Sequence, residues 1–348
     1  MSLNFCTLFN SDYLSRGMAL YQSLIEHSND FHLYVFAFDD ETYNFLNTRQ
    51  LKSLTVISLQ QFQDDKLLAI KDSRTAAEYC WTCTPSAILY CIKNFGLDHC
   101  IYIDADLLFY SNPQVLIDEM KDKSVLITEH RYTAEYDQTN SSGKYCVQFV
   151  GFRNDDRGMK ALRWWRNACL EWCYARTEDG KFGDQKYIDD WTVRFEGVYE
   201  LQHLGGGIAP WNVQQYKFEH LNGKIQGTEI ATGKCFEVVF FHFHGLKFYK
   251  NEVVSLTSSI YEINLFCKKI FYFPYVFQLN KISDAIIKSG KITNPNGAFE
   301  LSPSKPLNFT RMFKSYLLDI KSALKNIAGS QHRVRLLHNH YYWNNVFK

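Results

Sequence analysis

Short apolar runs alternate with amphipathic, helix-like segments along the first 130 residues of this 348-residue chain. Each apolar run has the length of a strand and ends in polar residues, and the segments between the runs have helical spacing. Strands that alternate with helices predict an α/β fold, with a mostly parallel sheet and helices on both of its faces. The predicted strands are Leu3 to Phe9, His32 to Phe38, Leu54 to Leu59, Cys100 to Ile103 and Ser124 to Thr128.

The predicted helices have apolar residues at helical spacing and polar residues at their ends. They are Met18 to Ile25, Thr42 to Leu46, Thr84 to Phe95 and Met159 to Tyr174. We place Pro85 in the first turn of the third helix, where its missing N–H costs little. A later strand is predicted at Glu237 to Phe243, and we expect it to share one sheet with the first half. The predicted organisation is one domain over residues 1–260 and a helical, basic and aromatic extension over residues 261–348.

Composition excludes several classes of protein. Hydrophobic residues make up 46% of the chain and charged residues 22%, which excludes a disordered or fibrous protein. The formal net charge is +1, so no overall field attracts nucleic acid. The longest apolar run, Ile270 to Leu279, is far short of the roughly 20 residues of a membrane-spanning helix. Met1 to Phe9 has no basic flank typical of a signal peptide, and we therefore expect a soluble, cytoplasmic protein.

The ten cysteines are too sparse for a disulfide-stapled secreted domain. Most of them, Cys235 included, stand in apolar patterns, which favours buried thiols in a reducing compartment. Cys80 and Cys83 have the spacing of half a zinc site, but the chain has no second pair of this kind.

Positive charge is concentrated near the end of the chain. Residues 301–348 hold eight basic residues against the single acid Asp319, whereas the preceding 300 residues hold 30 basic and 36 acidic ones. Aromatic residues are interleaved with the basic ones. This pattern predicts peripheral contact with an anionic membrane face, and the alternative is a basic face that packs on the acidic body.

Two carboxylates, Asp104 and Asp106, follow directly on the predicted strand that ends at Ile103. In a mostly parallel sheet, ligands bind at the carboxyl ends of the strands, where these side chains emerge. Hard oxygen ligands of this kind suit Mn²⁺ or Mg²⁺, and magnesium commonly binds through one or two carboxylates plus substrate phosphates. The pattern predicts a divalent-cation site, and the alternative is a solvated turn.

Two histidines, His242 and His244, stand two residues apart at the end of the predicted strand Glu237 to Phe243, so both project to one face. Gly245 behind them would let the backbone approach a phosphate, and Lys247 could neutralise its charge. We expect one of these histidines to be a third metal ligand. The alternative is a pair of histidines with partners inside the core.

Several polar and aromatic residues are candidates for binding a donor molecule. Asp184 and Gln185 place a carboxylate beside an amide, a combination that suits paired hydroxyls of a sugar. Trp211 and Asn212 supply an aromatic face and a second amide near a glycine-rich turn. Arg74 could bind a diphosphate bidentately, or it could form a surface salt bridge.

Three motifs in this order resemble the nucleotide-sugar glycosyltransferases of the GT-A fold, and the likeness is strongest to glycosyltransferase family 8. They are Tyr102-Ile-Asp-Ala-Asp-Leu-Leu-Phe, Gly183-Asp-Gln and His242-Phe-His-Gly-Leu-Lys. The likeness covers roughly residues 3–250 and does not include the basic tail. It implies a GT-A type mixed sheet and a nucleotide-sugar donor.

The resemblance also implies roles at the nucleotide end of the donor. Asn10, Asp12 and Tyr13 would hold the nucleoside, with Tyr13 stacking on the base. Asp104 and Asp106 would bind the metal, and Asp104 would also contact the ribose.

At the sugar end, the resemblance makes Asp184 and Gln185 the candidate catalytic residues. Asp184 would hold donor-sugar hydroxyls, and Gln185 would lie near the anomeric carbon. The family has Asn where this chain has Cys146. Gln148, two residues further on, is therefore the candidate donor contact in that segment.

The last motif fits the family less closely. His242 matches the HxxG frame that ends at Gly245, so the resemblance favours His242 over His244 as the metal ligand. Lys247 falls one residue short of the position of the family lysine, which weakens its predicted contact with phosphate.

The implied reaction is metal-dependent transfer of a hexose from a nucleotide-diphosphate sugar, a UDP-sugar, to a glycan or glycolipid acceptor, with retention of configuration. Such a reaction belongs to polysaccharide or lipopolysaccharide synthesis. Two other classes stay open: a metal-dependent phosphohydrolase and a non-catalytic module that binds nucleotide sugars. A nucleotidyltransferase is disfavoured because no Gly-rich basic loop follows the first strand.

Overall fold

The computed structural model of the protein describes residues 2–250, 252–290, 292–300, 317 and 340–347. The strands of this described part, in chain order, are β1 Leu3–Phe9, β2 Phe31–Ala37, β3 Leu54–Ser58, β4 His99–Ile103, β5 Leu107–Phe109, β6 Val125–Glu129, β7 Tyr145–Arg153, β8 Val198–Glu200, β9 Tyr216–Leu221, β10 Lys224–Glu229, β11 Cys235–Glu237, β12 Phe240–His242, β13 Lys247–Tyr249, β14 Val253–Ser255 and β15 Tyr341–Trp343.

The α-helices are α1 Leu14–His27, α2 Asp40–Asn47, α3 Leu59–Phe62, α4 Asp65–Lys71, α5 Ala76–Asn94, α6 Gln114–Asp118, α7 Thr139–Ser142, α8 Asp156–Glu171, α9 Trp191–Arg194, α10 Leu265–Cys267 and α11 Phe273–Lys288. A π-helical turn, Lys268–Tyr272, joins α10 to α11. None of the helices in the described residues has the length and apolar character needed to cross a membrane.

Seven strands form the central sheet in the order β3-β2-β1-β4-β7-β6-β8. The strands β3, β2, β1 and β4 are mutually parallel, β7 runs antiparallel to both of its neighbours, and β6 is parallel to β8. The predicted α/β fold with a mixed, mostly parallel sheet is therefore confirmed. Chain order reverses between β1 and β4, and ligands commonly bind at such a switch point.

Each face of the sheet is covered by its own set of helices and has its own apolar core. On one face, α5 packs over β1 and β4 while α8 packs over β7 and β6, and their fully buried side chains include Ile88 and Trp165. On the other face, α1 and α11 pack together with the β5–β12 pair, and buried residues such as Leu20 and Phe240 fill the core. The sheet thus separates two distinct interiors.

Helix α5 begins eight residues before its predicted start, so the placement of Pro85 in its first turn is wrong. Thr75 forms a capping box with Glu78: the Thr75 hydroxyl accepts from the Glu78 N–H, and the Glu78 carboxylate accepts from the Thr75 N–H at 2.8 Å. This Thr-x-x-Glu signal fixes the start of the helix and leaves Pro85 in its interior.

The region after residue 260 contacts the first helix and the loop before it. Helix α11 packs against α1. The Ser15 N–H donates to the carbonyl of Pro295 at 3.1 Å, and a guanidinium N–H of Arg16 donates to the carbonyl of Asn296 at 3.1 Å. Strand β15 pairs antiparallel with β14. The boundary at residue 260 stays a prediction.

Most of the basic tail, residues 301–316 and 318–339, lies outside the described residues. The predicted helical structure and membrane contact of this segment therefore stay predictions. At its end, Tyr341–Trp343 is a strand.

Candidate active site

The turn after β4 positions both carboxylates of the Asp-x-Asp motif. All five residues of β4 are buried, and Asp104 follows its last residue. The Asp104 N–H donates to the carbonyl of Gln148 on β7 at 3.1 Å, and the Leu107 N–H donates to the carbonyl of Asp104 at 3.2 Å. The Tyr102 hydroxyl donates to Asp104 Oδ1 at 2.9 Å and fixes the orientation of this carboxylate.

Pairing of β5 with β12 carries a histidine to the same turn. His242 stands opposite Leu107, and the Phe243 N–H donates to the carbonyl of Asp106 at 3.0 Å. His242 Nε2 consequently lies 3.1 Å from Asp106 Oδ1 and 3.7 Å from Asp104 Oδ2. The structure thus brings Asp104, Asp106 and His242 together, although nearly 140 residues separate the two motifs.

Electrostatic coupling is strong inside this cluster. Burial raises the pKa of Asp104 to about 6, although the charge of His242 opposes the rise. Burial would also raise the pKa of Asp106, but the adjoining imidazole lowers it to about 2. For His242, burial acts to lower the pKa, and the two carboxylates outweigh it and hold the pKa well above its usual value. A proton on His242 therefore balances part of the negative charge, and a divalent cation could take its place.

The ligand set fits a hard or borderline divalent cation. The carboxylate oxygens and the imidazole nitrogen all lie within 4.8 Å of one another. Two carboxylates and a neutral imidazole suit Mn²⁺ or Mg²⁺, because oxygen ligands dominate and the charges balance. Side-chain exposure of 29% for Asp104 and 14% for Asp106 leaves an approach for a ligand from the solvent side.

The second histidine stands apart from the carboxylates. His244 follows the end of β12 and is exposed, and its ring centre lies 5.5 Å from that of His242. It does not belong to the group of three potential ligands, so we no longer count it as a metal ligand. Gly245 has φ +78°, a left-handed conformation that favours glycine and turns the chain toward the exposed Lys247.

Asp184 is buried close to the cluster. It follows Gly183, and its carbonyl accepts the indole N–H of Trp165 at 2.9 Å. Burial raises the pKa of Asp184 to about 7, and the negative charge of Asp104 acts in the same direction. The side-chain amide of Gln185 instead donates to the carbonyl of Ser142 at 2.7 Å and is thereby tied to the loop before β7.

Two predicted donor contacts, Trp211 and Asn212, are buried beside the cluster. Trp211 is 4% exposed, and its ring centre lies 5.4 Å from that of His242, edge to face. The amide of Asn212 is 1% exposed and hydrogen-bonds the backbone groups of His130, Gly207 and Ala209. Asn212 therefore holds the loop together, and its predicted contact with a donor gains no support from this geometry.

The predicted contact of Gln148 with a donor also gains no support from the structure. Its side chain is 0% exposed and lies behind Gly207, where an added Cβ would stand 3.3 Å from Gln148 Nε2. Neither atom of its amide has a hydrogen-bond partner. The backbone of Gln148 supports Asp104, but its side chain presents no surface to a ligand.

The predicted nucleoside loop opens next to the cluster. Asn10 is half-buried, Asp12 is exposed, and Tyr13 is 40% exposed. Partial burial raises the pKa of Tyr13, and the charges of Asp106 and Asp104 add to this rise. The partly exposed Tyr13 ring is therefore within electrostatic reach of the carboxylates.

Arg74 has a different partner. Its guanidinium lies 3.8 Å from the ring centre of Tyr174, and one N–H donates to the hydroxyl of Ser73 at 3.1 Å. It forms no ion pair with Asp104 or Asp106 in the described structure. Its predicted contact with a diphosphate thus gains no support from this geometry.

Sequence reasoning missed Arg16, which is 3% exposed. Its guanidinium lies 4.5 Å from the Tyr13 ring centre and donates to the carbonyls of Asn296 and Leu246, both at 3.1 Å. Arg16 therefore ties the nucleoside loop to the turn that follows His244. The signal for it was a charged residue in the middle of an apolar helical face.

The sequence indicated no role for Cys80 other than half of a zinc site with Cys83. It lies on α5 within electrostatic reach of Asp104 and Asp184 and is partly buried. Cys80 and Cys83 do not belong to any group of three potential ligands in the described residues, so the zinc alternative gains no support. All ten cysteines are free and eight are buried, but Cys235 is exposed, contrary to expectation.

Two proteins of Bacillus subtilis (strain 168) are similar to this chain along most of its length. The uncharacterised protein YfnD is 29% identical over 292 residues, which make up 82% of this chain and 91% of YfnD. The uncharacterised protein YfnF is 30% identical over 268 residues, 74% of this chain and 87% of YfnF. No family model matches the sequence.

A search of solved structures finds the galactosyltransferase LgtC, in complex with donor and acceptor sugar analogues. The similarity covers 69% of this chain and 86% of LgtC, with a TM-score of 0.45 and 10% sequence identity.

Proposed function

This chain belongs to the same family as the Bacillus subtilis protein YfnF, and we propose that it is a metal-dependent glycosyltransferase of the GT-A type, similar to family 8. It would move a hexose from a nucleotide-diphosphate sugar, a UDP-sugar, to a glycan or glycolipid acceptor. The observation that carries the proposal is the cluster of Asp104, Asp106 and His242 at the carboxyl end of β4, beside a loop suited to a nucleoside.

The residues of the cluster hold and orient the diphosphate end of the donor. Asp104, Asp106 and His242 would bind Mn²⁺ or Mg²⁺, with Tyr102 keeping Asp104 in place. The bound cation supplies Lewis-acid stabilisation of the negative charge that develops on the departing nucleotide. Tyr13 would stack on the base, while Asn10 and Asp12 contact the nucleoside from the same loop.

Asp184 is the residue best placed for the sugar. Its raised pKa lets it donate or accept hydrogen bonds near neutral pH, which suits sugar hydroxyls. Gln185 follows it, and its role at the anomeric carbon requires that its bond to Ser142 be exchanged for a substrate contact. Retention of configuration, Gly245 and Lys247 as phosphate contacts, and a lipid-linked acceptor in polysaccharide or lipopolysaccharide synthesis are parts of the same proposal.

A thermal-shift screen of nucleotide sugars with and without Mn²⁺ tests the proposal. A donor at 100 times its dissociation constant should stabilise the fold by about 2.7 kcal/mol. We expect this shift for one class of donor, with Mn²⁺ present, and its loss in Asp104→Asn. Equal shifts with and without the cation would contradict metal-dependent donor binding.

A product assay separates the open alternatives. Transfer or slow hydrolysis of the donor that the screen identifies supports the glycosyltransferase. Release of inorganic phosphate from a simple phosphomonoester, with no response to nucleotide sugars, would support the phosphohydrolase. Donor binding with neither hydrolysis nor transfer to any acceptor would support the non-catalytic module.

A further inference from the structure

Three cysteine side chains meet on the face of the sheet opposite β5 and β12. Cys6 comes from β1, Cys100 from β4 and Cys91 from α5. Their sulfur atoms all lie within 4.8 Å of one another, and each residue is 0% exposed. None of the three forms a disulfide. We call this group the thiol cluster.

The surroundings of the thiol cluster are apolar. It belongs to the core that α5 and α8 cover, together with residues such as Leu8, Ile88 and Ile92. The basic group that acts on Cys100 is His99. The two ring nitrogens of His99 are already engaged, Nδ1 with Asp98 at 2.7 Å and Nε2 with the Asn4 N–H at 3.4 Å. Among the described residues, therefore, no basic side chain hydrogen-bonds the cluster to balance the charge of a complex there.

The geometry suits three sulfur ligands around one ion. With metal–sulfur bonds of about 2.3 Å, sulfur atoms in a trigonal arrangement are about 4 Å apart or closer. Closing the present separations to that value requires movements of less than about 1 Å. Thiolates select soft, thiophilic ions over the hard ions suited to the carboxylate cluster.

Charge then limits which ion can be held. Three thiolates carry three negative charges, and an uncompensated charge in an apolar interior is very costly. A divalent ion would leave one negative charge in this core, whereas a trivalent ion gives a neutral complex.

We propose that Cys6, Cys91 and Cys100 form a binding site for one trivalent thiophilic ion of the arsenic(III) class. Arsenous acid, As(OH)₃, would exchange its three As–O bonds for three As–S bonds. Each thiol proton leaves with a hydroxide as water, so three waters form and no electrons are transferred. The bound ion would link β1, β4 and α5, the elements that lead to the nucleoside loop, Asp104 and Cys80.

Native mass spectrometry of the full chain tests this site. The protein is incubated with sodium arsenite under a thiol-free reductant, and in a second arm arsenite is present during refolding from urea, so that burial cannot block entry. We expect one arsenic per chain with loss of three protons, and a raised melting temperature. Cys6→Ala and Cys91→Ala should each bind arsenite at least tenfold more weakly.

Two control variants locate the site. Cys235→Ala removes an exposed thiol, and Cys173→Ala removes a buried one on the same face of the sheet but outside the cluster. Both should bind as the wild type does. Absence of stoichiometric uptake in both arms, or equal uptake by Cys91→Ala and the wild type, would overturn the proposal. Tighter binding of Cd²⁺ than of arsenite would overturn the charge argument.

Discussion

Strand β4 serves two clusters of opposite character, four residues apart. Cys100 belongs to the thiol cluster, where every side chain is fully buried and uncharged partners surround the sulfur atoms. Asp104 belongs to the carboxylate cluster, which is partly open and whose charges meet the imidazole of His242. The position of a residue along β4 decides whether its side chain is buried or can meet a ligand, because the strand is buried along its length and reaches solvent only at its carboxyl end.

One residue connects the two regions. Tyr102 stands opposite Cys6 in the pairing of β1 with β4 and packs in the same core as the thiols. Its hydroxyl nevertheless reaches around the strand end to Asp104. The comparison teaches that a buried core can orient an exposed site through a single hydrogen bond.

The sharpest test of the comparison replaces one residue in each cluster. We expect Asp106→Asn to lower donor turnover 100- to 1,000-fold, because the divalent cation that stabilises the transition state would lose one charged ligand. Cys91→Ala should instead lower the free energy of unfolding and change turnover less than threefold. Steady-state rates at several Mn²⁺ concentrations measure turnover in both variants, and urea unfolding measures the loss of stability.

A surface carboxylate provides the matched control for the first variant. The carboxylate of Asp118 is exposed and accepts one described side-chain hydrogen bond, from the amide of Gln114, so Asp118→Asn should retain wild-type turnover. If Asp106→Asn kept full, Mn²⁺-dependent turnover, the carboxylate cluster would not be the metal site.

The next effect concerns Asp184, whose carboxyl is buried without a cationic partner among the described ion pairs. Its pKa is about 7 in the fold and lower in the unfolded chain, so the folded state binds more protons between these values. Stability should therefore fall as the pH rises from about 4 to about 7. Asp184→Asn should remove this loss and raise the free energy of unfolding at pH 8 by on the order of 4 kcal/mol.

Urea unfolding of the wild type and of Asp184→Asn at pH 5 and pH 8 measures this difference. The gain should be larger at pH 8, and donor turnover should fall in parallel, since a residue held for function often costs stability. An equal gain at both pH values would show that the carboxyl does not titrate in this range.

A smaller effect is expected where the two clusters meet. Tyr102→Phe removes the hydroxyl that donates to Asp104, a bond worth about 1 kcal/mol. We expect Mn²⁺ to bind about fivefold more weakly, while arsenite uptake is unchanged. Isothermal titration with each ion separates the outcomes, and equal losses for both ions would point to a general disturbance of β4.

The smallest expected effect is a loss of stability that α5 transmits to both clusters. Thr75→Ala removes the N-terminal cap of α5, the helix that carries both Cys80 and Cys91, and should cost about 1 kcal/mol of stability. Thr75→Ser keeps the capping oxygen and is the matched control. Thermal unfolding measures the cost, and a change confined to one cluster would contradict a shared support.

Much of the fold could be predicted because its signals are local. Strand β1 has its predicted bounds, and β2, β3, β4 and β6 differ by one or two residues. The start of α5 was missed because Pro85 was given more weight than the capping box of Thr75 and Glu78. Both are local signals, and the hydrogen bonds of the box decide between them.

The site could be predicted only in part. The Asp-x-Asp turn and His242 were found because each follows an apolar strand, but their contact depends on pairing of β5 with β12, which no local pattern reveals. The predicted donor contacts of Asn212 and Gln148 gain no support, because a polar residue near a turn looks the same in sequence whether it faces a ligand or the protein interior. The thiol cluster was invisible for the same reason, because its three cysteines come from separate elements.

Strand β15 has a practical consequence for mapping the basic segment. Because Tyr341–Trp343 completes a three-stranded sheet with β13 and β14, a chain that stops at residue 300 would lose a structural strand along with the positive charge. Any change in vesicle binding by such a truncation would mix damage to this sheet with lost electrostatics. Charge reversal at Lys321 and Lys325, with the last eight residues retained, keeps the sheet intact and isolates the electrostatic question.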